Sequence, residues 1–151
     1  MRNKLEKLRE RSNIDAQDIY KQIGISSSQY SKWEKGNRKI NMKGIVKLTN
    51  YFGINIDYLL NLSDNIEVSD IKYTDDKEII GKKLKKIRED LKLSLRDEND
   101  LTSISINALS RYERGIRLIN PDALYKLCKT TGYDANWIMS EVNIKKKKQD
   151  K

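Results

Sequence analysis

The chain has 151 residues, 37% hydrophobic and 35% charged, and its 31 basic against 22 acidic side chains give a net charge of +9. With no histidine and one cysteine, Cys128, the composition excludes imidazole acid–base chemistry, Cys/His metal sites and an intrachain disulfide. The cationic surplus points to a polyanionic partner, nucleic acid ahead of an anionic membrane surface. No segment approaches the ~20 apolar residues of a membrane span, and the chain is polar from Arg2 onward. A cytosolic protein with no membrane partner is expected. Cys128 lies in the apolar run Leu124–Cys128 and reads as a buried structural thiol.

The first predicted element is a helix marked by Leu5, Leu8 and Ile14, with Lys4, Lys7 and Arg11 solvated. Asp15 is placed to cap a second helix, Ala16 to Ile23, which buries Ile19 and Ile23 at i, i+4. Gly24 makes the turn into a third helix, which Ser26 caps and Gly36 ends. Tyr30 and Trp33, three apart, share its buried face and leave Ser27, Ser28, Ser31 and Lys32 outward. A fourth helix carries Ile45, Val46, Leu48 and Thr49 and stops near Gly53, and a short fifth, Ile56–Leu60, follows Asn55. Five short helices with polar turns make a small all-α bundle. A DNA major groove accepts a small polar helix face followed by a basic turn, here Lys35, Asn37, Arg38 and Lys39. An ordinary surface helix has the same look.

The pattern occurs twice, 79 residues apart and without gaps. Leu5, Leu8, Arg9 and Glu10 return as Leu84, Ile87, Arg88 and Glu89, and residues 31–36 return as Ser110-Arg111-Tyr112-Glu113-Arg114-Gly115. Tyr58-Leu59-Leu60 matches Trp137-Ile138-Met139. The reading is therefore a domain at 1–60, a linker at 61–79, a second domain at 80–142 and a basic tail at 143–151. Their net charges are +6, −4, +3 and +4.

Three stretches together, Leu8-Arg9, Gly24-Ile25-Ser26 and Trp33-Glu34-Lys35-Gly36, followed by residues 52–60, resemble the Cro/repressor-type (XRE-like) helix-turn-helix family. The resemblance covers nearly all of residues 3–60. It implies an all-α protein: two small five-helix bundles of lambda-repressor-like helix-turn-helix type joined by the acidic linker. It gives Arg9 and Glu34, and their repeats Arg88 and Glu113, a structural role as ion pairs tying the first helix to the end of the third. Carried over by position, it sets Ser27, Ser28 and Lys32 against base edges, with Ser31 beside them and Gln29 reaching a phosphate or a base. Ser26, Lys35, Arg38 and Lys39 fall against phosphates, which fix register without reading sequence. Lys32 to guanine O6/N7 is the foremost specific contact. Helix capping is the competing role for Ser27 and Ser28. Two positions depart from the family. Tyr20 stands where Ala is usual at the crossing of helices two and three, so that crossing must open or Tyr20 must turn away. Ala16 stands where a phosphate-binding Gln is common.

Residues 61–79 hold only scattered apolar side chains, Val68, Ile71 and Tyr73. A flexible tether is the default and a docked extended arm the alternative. Fully extended, they reach ~60 Å, beyond the ~34 Å between successive major-groove faces. In the second copy, Ser105, Asn107, Arg111, Arg114 and Arg117 are the candidate DNA contacts, with Asn107 and Arg111 suited to adenine and guanine. The second helix there is poor, because Glu98 and Asn99 stand where the first copy has Ile19 and Tyr20, and Ser103 replaces the turn glycine. A charge at a core position is costly unless paired, so a shifted, frayed or partner-covered helix is expected. Ile106 and Leu118 suit a protein contact better than a groove. Lys145–Lys148 form a solvated basic run or a non-specific phosphate contact.

The function expected is a sequence-specific double-stranded DNA-binding regulator, a repressor of phage, mobile-element or bacterial operon type, with no cofactor, metal or catalytic residue. The alternative keeps DNA binding in the first domain and makes residues 80–142 a homodimerisation or protein-interaction module, as in an antitoxin, anti-repressor or inhibitor. An enzyme is disfavoured, since no nucleophile–base pair or carboxylate–metal cluster stands out.

Overall fold

The structure, a computed structural model, describes residues 3–142; the expected basic tail lies outside the described residues. The chain divides between Asp70 and Ile71 into two compact units. The first contains α1 (Lys4–Ser12), α2 (Ala16–Ile23), α3 (Ser27–Lys35) and α4 (Met42–Phe52). The second contains α5 (Lys77–Asp90), α6 (Leu95–Thr102), α7 (Ile106–Glu113), α8 (Pro121–Thr131) and α9 (Ala135–Ile138).

Local signals set most helix ends. Asn3, Ser26 and Asn41 accept from the amides of Glu6, Gln29 and Gly44, supplying partners that the first turns lack. Asp15 sits at the N-cap of α2 but makes no side-chain capping bond, contrary to expectation. Gly36, at φ 77°, takes the left-handed conformation that turns the chain out of α3. The helices close over Leu5, Leu8, Ile19, Tyr30, Trp33 and Leu48, each 2% exposed or less. Burying each aliphatic side chain contributes roughly 1.5–3 kcal/mol. Tyr20 is half-buried, its ring 6.1 Å from that of Tyr30 at 45°, so the α2–α3 crossing is filled by a tilted ring pair.

The expected fifth helix of the first unit is only a run of turns. Leu60 N–H donates to Ile56 O, Asn55 Oδ1 accepts from Asp57 N–H, and Asn61 at φ 64° ends the segment. Ile56, Tyr58, Leu59 and Leu60 are nonetheless buried, so packing holds a segment too short to propagate as a helix. Its counterpart in the second unit is the single-turn α9. Ile14, assigned to the first helix, lies beyond its end at Asn13.

Residues 61–79 do not behave as a plain tether. Val68 bridges Ile54, Asn55 N–H donates to Glu67 O and Ser69 N–H to Gly53 O. Further on, Tyr73 bridges Ser140, Thr74 N–H donates to Met139 O and Glu141 N–H to Lys72 O. Each half is an extended arm hydrogen-bonded to its own unit. Tyr73 is 3% exposed and its hydroxyl donates to Asn136 Oδ1, so it belongs to the second core. Helix α5 also starts at Lys77, inside the expected linker.

Lys4 is half-buried rather than solvated. Its ammonium donates to Tyr58 O (3.0 Å) and Ser63 O (2.8 Å), with the Tyr58 ring centroid 4.7 Å away. Lys83, 79 residues on and fully buried, donates to Trp137 O and Ser140 O, both at 2.8 Å, with the Trp137 centroid at 5.4 Å. Burial lowers its pKa to about 8. In both units a lysine of the first helix fastens the closing turn by its carbonyls.

Helix α6 is neither frayed nor displaced. Ser94 and Asp97 form a capping box, Thr102 Oγ1 donates to Glu98 O, and Asn99 Nδ2 donates to Ile104 O at 2.7 Å. Ser103 adopts the left-handed conformation (φ 65°) in place of the turn glycine. Glu98 is 2% exposed, and its Oε1 finds no protein hydrogen-bond partner among the described residues. Burial, with the charge of Glu113 adding to it and that of Arg88 opposing it, pushes Glu98 up to about 7. A carboxyl close to neutrality costs far less to bury than a carboxylate, which reconciles an intact helix with a polar core position.

Candidate nucleic-acid interface

Helix α3 is held from behind. Arg9 on α1 donates Nε to Glu34 Oε2 (2.5 Å) and a second N–H to Oε1 (3.1 Å). Asn3 Nδ2 donates to Trp33 O at 2.6 Å, while Tyr30 and Trp33 enter the core. Hydrogen bonding to Glu34 raises Arg9 above its ordinary value. Both charges are thus engaged in the fold, side by side in a fork–fork pair. In the second unit Arg88 donates to Glu113 at 2.7 and 3.0 Å and also to Leu93 O at 3.0 Å. Glu113 likewise raises Arg88.

The opposite side of α3 is open. Ser26, Ser27, Ser28, Lys32, Lys35, Arg38 and Lys39 are exposed, and Gln29 and Ser31 are half-buried. Ser26 is the N-cap, so its hydroxyl is already accepting from Gln29 N–H at 3.1 Å. The turn after α3 is fixed by Asn37 and Arg38 N–H, both donating to Lys32 O. That places Arg38 beside the helix rather than on a free loop. Ser27 and Ser28 open the helix, Lys32 and Lys35 lie in its last turn, and Arg38 and Lys39 follow it. No acidic side chain of α3 other than the paired Glu34 competes.

Helix α7 presents the equivalent surface with larger side chains. Ser105, Asn107, Arg111, Arg114 and Arg117 are exposed, and Ser110 is half-buried. Ser105 caps the helix by accepting from Ala108 N–H, and Arg114 Nε donates to Ser110 Oγ at 3.1 Å. Ile106 is 40% exposed, but Leu118, grouped with it as exposed, is half-buried. Ile116, which the sequence reading passed over, is 50% exposed.

Asn3 as a brace of α3 and the Lys4 and Lys83 anchors are further contributors that the residues alone did not announce. The 79-residue spacing of the two lysines was the available signal. Among the described residues no three acidic or thiol side chains gather as metal ligands, and no helix is long and apolar enough to cross a membrane.

The family described as "Helix-turn-helix domain" matches residues 3–65 and again 81–144. The chain belongs to the helix-turn-helix domain family. Each helix-turn-helix is the pair α2–α3 or α6–α7, with α3 and α7 the outward helices. Two curated relatives are similar over part of their length. The HTH-type transcriptional activator BcrR of Enterococcus faecalis is 30% identical over 67 residues, 44% of this chain and 33% of that protein. The uncharacterized HTH-type transcriptional regulator YqaE of Bacillus subtilis (strain 168) is 28% identical over 64 residues, 42% of this chain and 55% of that protein. The matched region thus spans only a third to about half of either relative. No solved structure gives a significant match.

Proposed function

We propose that this helix-turn-helix protein is a sequence-specific double-stranded DNA-binding transcriptional regulator, a repressor of a bacterial operon, phage or mobile element, acting in the cytoplasm without a cofactor. The observation that carries it is the two-sided build of α3. Its inward side is locked by Tyr30, Trp33 and the Arg9–Glu34 pair, and its outward side offers Ser27, Ser28 and Lys32. A rigid helix with short polar side chains reaches base edges in a major groove, and Lys32 can donate to guanine O6/N7. Ser26, Lys35, Arg38 and Lys39 take phosphates and set the register, while Gln29 and Ser31 lie at the margin. In the second unit Asn107 and Arg111 read bases and Ser105, Arg114 and Arg117 take phosphates. Two readers on one chain raise affinity through effective concentration. Occupancy of a promoter is sufficient to block transcription, so no chemistry is required. The relatives' names, both transcriptional regulators of bacteria, support the class, although one is named an activator.

A second reading limits DNA contact to the first unit and gives residues 80–142 to a protein partner or homodimer; the exposed Ile106 and Ile116 favour it. Operator fragments selected from random duplex DNA decide between the two. Weakening by both Lys32→Ala and Arg111→Ala supports the tandem reader, and weakening by Lys32→Ala alone supports the second reading. Affinity falls steeply with added salt as phosphate contacts release counterions. Binding insensitive to salt contradicts both readings. In a purified transcription system, repression requires transcript to fall as the operator fills.

A further inference from the structure

Ile106 has no account in the fold. It is the first residue of α7, bulky and 40% exposed, where the first unit has the small polar Ser27. Its neighbours on the open side are hydrogen-bonding or cationic: Asn107 adjacent, Arg111 five residues on, Arg114 beyond. That environment argues against a self-complementary contact between two copies. An isologous interface there sets one surface bearing Arg111, Arg114 and Arg117 against an identical one, and juxtaposing surfaces of like charge costs affinity. The same neighbours suit a duplex, whose phosphates attract the arginines and whose base edges match Asn107 and Arg111. In such a groove an apolar side chain has one apolar target, because thymine alone among the four bases carries a methyl group on its major-groove edge. Side chains in the first turn of a docked recognition helix are among those that reach base edges.

We propose that Ile106 is a specificity-determining residue whose side chain packs against the C5-methyl group of a thymine, alongside the bases that Asn107 and Arg111 contact. The inference rests on the reading that the second unit contacts DNA. It makes the two units readers of different chemistry. The first is wholly polar at Ser27, Ser28 and Lys32, and the second combines an apolar, an amide and a guanidinium contact. The operator then consists of two dissimilar halves, and one of them requires thymine.

Replacing thymine by deoxyuridine removes that methyl group and leaves base pairing intact. The full chain is titrated against a selected operator duplex in which each thymine is replaced singly by deoxyuridine. Footprints of the Lys32→Ala and Arg111→Ala proteins show which half belongs to which unit. At one thymine of the Arg111 half the expected loss is about fourfold, the value of one buried methyl-sized group. Ile106→Ser is expected to bind the thymine and deoxyuridine duplexes equally, with helical content unchanged because the site is exposed. If Arg111→Ala weakens binding but no deoxyuridine substitution in that half does, Ile106 does not read a methyl group although the unit binds DNA. A thymine preference that survives Ile106→Ser overturns the assignment too. If Arg111→Ala changes neither affinity nor footprint, the second unit does not contact DNA, and both the assignment and the reading beneath it fall. Sedimentation showing that Ile106→Ser dissociates an oligomer while leaving the thymine preference intact identifies a protein contact and overturns the proposal.

Discussion

The helix pair α2–α3 and its repeat α6–α7 share a path but not a core. In the first, Ile19 fills the centre and the Tyr30 hydroxyl lies beside Glu34; burial, helped by that carboxylate, pushes Tyr30 far above its ordinary value. In the second, Leu109 stands in for Tyr30 and Glu98 for Ile19. The polar group has moved from one helix to the other while staying beside the glutamate of the ion pair. A small cavity of about 10 Å³, bordered by Leu109, Glu98 and Glu113, remains there. The fold thus tolerates a polar atom behind the outward helix, near the arginine–glutamate fork. The same exchange occurs at a second point. Gly44 faces Trp33 so closely that an added Cβ would lie 2.5 Å from its Cη2, whereas the repeat has Ala123 and the smaller Tyr112 at the equivalent positions.

Removing one arm of each fork is expected to have the largest effect and to separate the two units. The Arg88–Glu113 side chains are 17% and 7% exposed, against 24% and 13% for Arg9–Glu34. Arg88→Ala is therefore expected to cost about 3 kcal/mol, and Arg9→Ala less, because each leaves a glutamate uncompensated. Urea unfolding followed by Trp137 in the second unit and Trp33 in the first measures both. Equal costs would mean that the extra bond from Arg88 to Leu93 O contributes nothing.

Acidity separates the units next. Glu98 has a folded-state pKa of about 7 against 4.5 for an ordinary glutamate, so the folded state holds the proton more tightly. This group's destabilisation is absent below pH 4.5, grows as pH rises through 7, and is complete above it, reaching on the order of 3 kcal/mol. Arg88 on α5 and Glu113 on α7 are the charges facing it. Glu98→Gln is expected to raise stability by about 2 kcal/mol at pH 8 and to change little at pH 5, with the first unit indifferent. Unfolding curves at the two pH values check the sign. Lys83 slopes the other way at higher pH: its pKa of about 8, below the ordinary 10.5, lets stability rise between those values.

On DNA, Lys32→Ala and Arg111→Ala are each expected to weaken a selected operator by roughly 1–3 kcal/mol and to relax preference at one guanine. Lys35→Ala should instead weaken all sequences alike and lower the salt slope by about one. The smallest effect concerns packing. Gly44→Ala should cost about 1 kcal/mol, since overpacking against Trp33 outweighs the gain in helix propensity. Trp33→Tyr with Gly44→Ala should recover most of the loss by copying the Tyr112–Ala123 arrangement; additive losses would show that the two positions do not compensate.

Much of this was legible in the residues because it is local or repeated. Caps act within three residues, as Ser26 and Ser105 do, and apolar spacing announced Leu5, Leu8, Ile19 and Trp33. The ion pairs were legible only through the family resemblance, which assigns Arg9–Glu34 and its repeat Arg88–Glu113. The outward side of α3 followed from its inward side, since Tyr30 and Trp33 leave Ser27, Ser28 and Lys32 no other direction. The failures have one physical character. Lys4 and Tyr73 looked like surface and linker residues, because their partners, Tyr58 O and Asn136, lie 54 and 63 positions away. Glu98 looked incompatible with an ordered helix, because nothing in the neighbouring residues shows how far burial will neutralise it.

Local sequence thus sets that there are two helical units, where α2 and α3 begin and end, and which residues each outward helix can show, all matters settled over one or two turns. Tertiary structure decided which polar groups go inside: Lys83 on its carbonyls, Tyr73 on Asn136, Glu98 beside the Arg88–Glu113 fork. The free energy of burying a polar or ionisable group depends on partners and dielectric supplied by distant segments, and those exist only once the chain has folded.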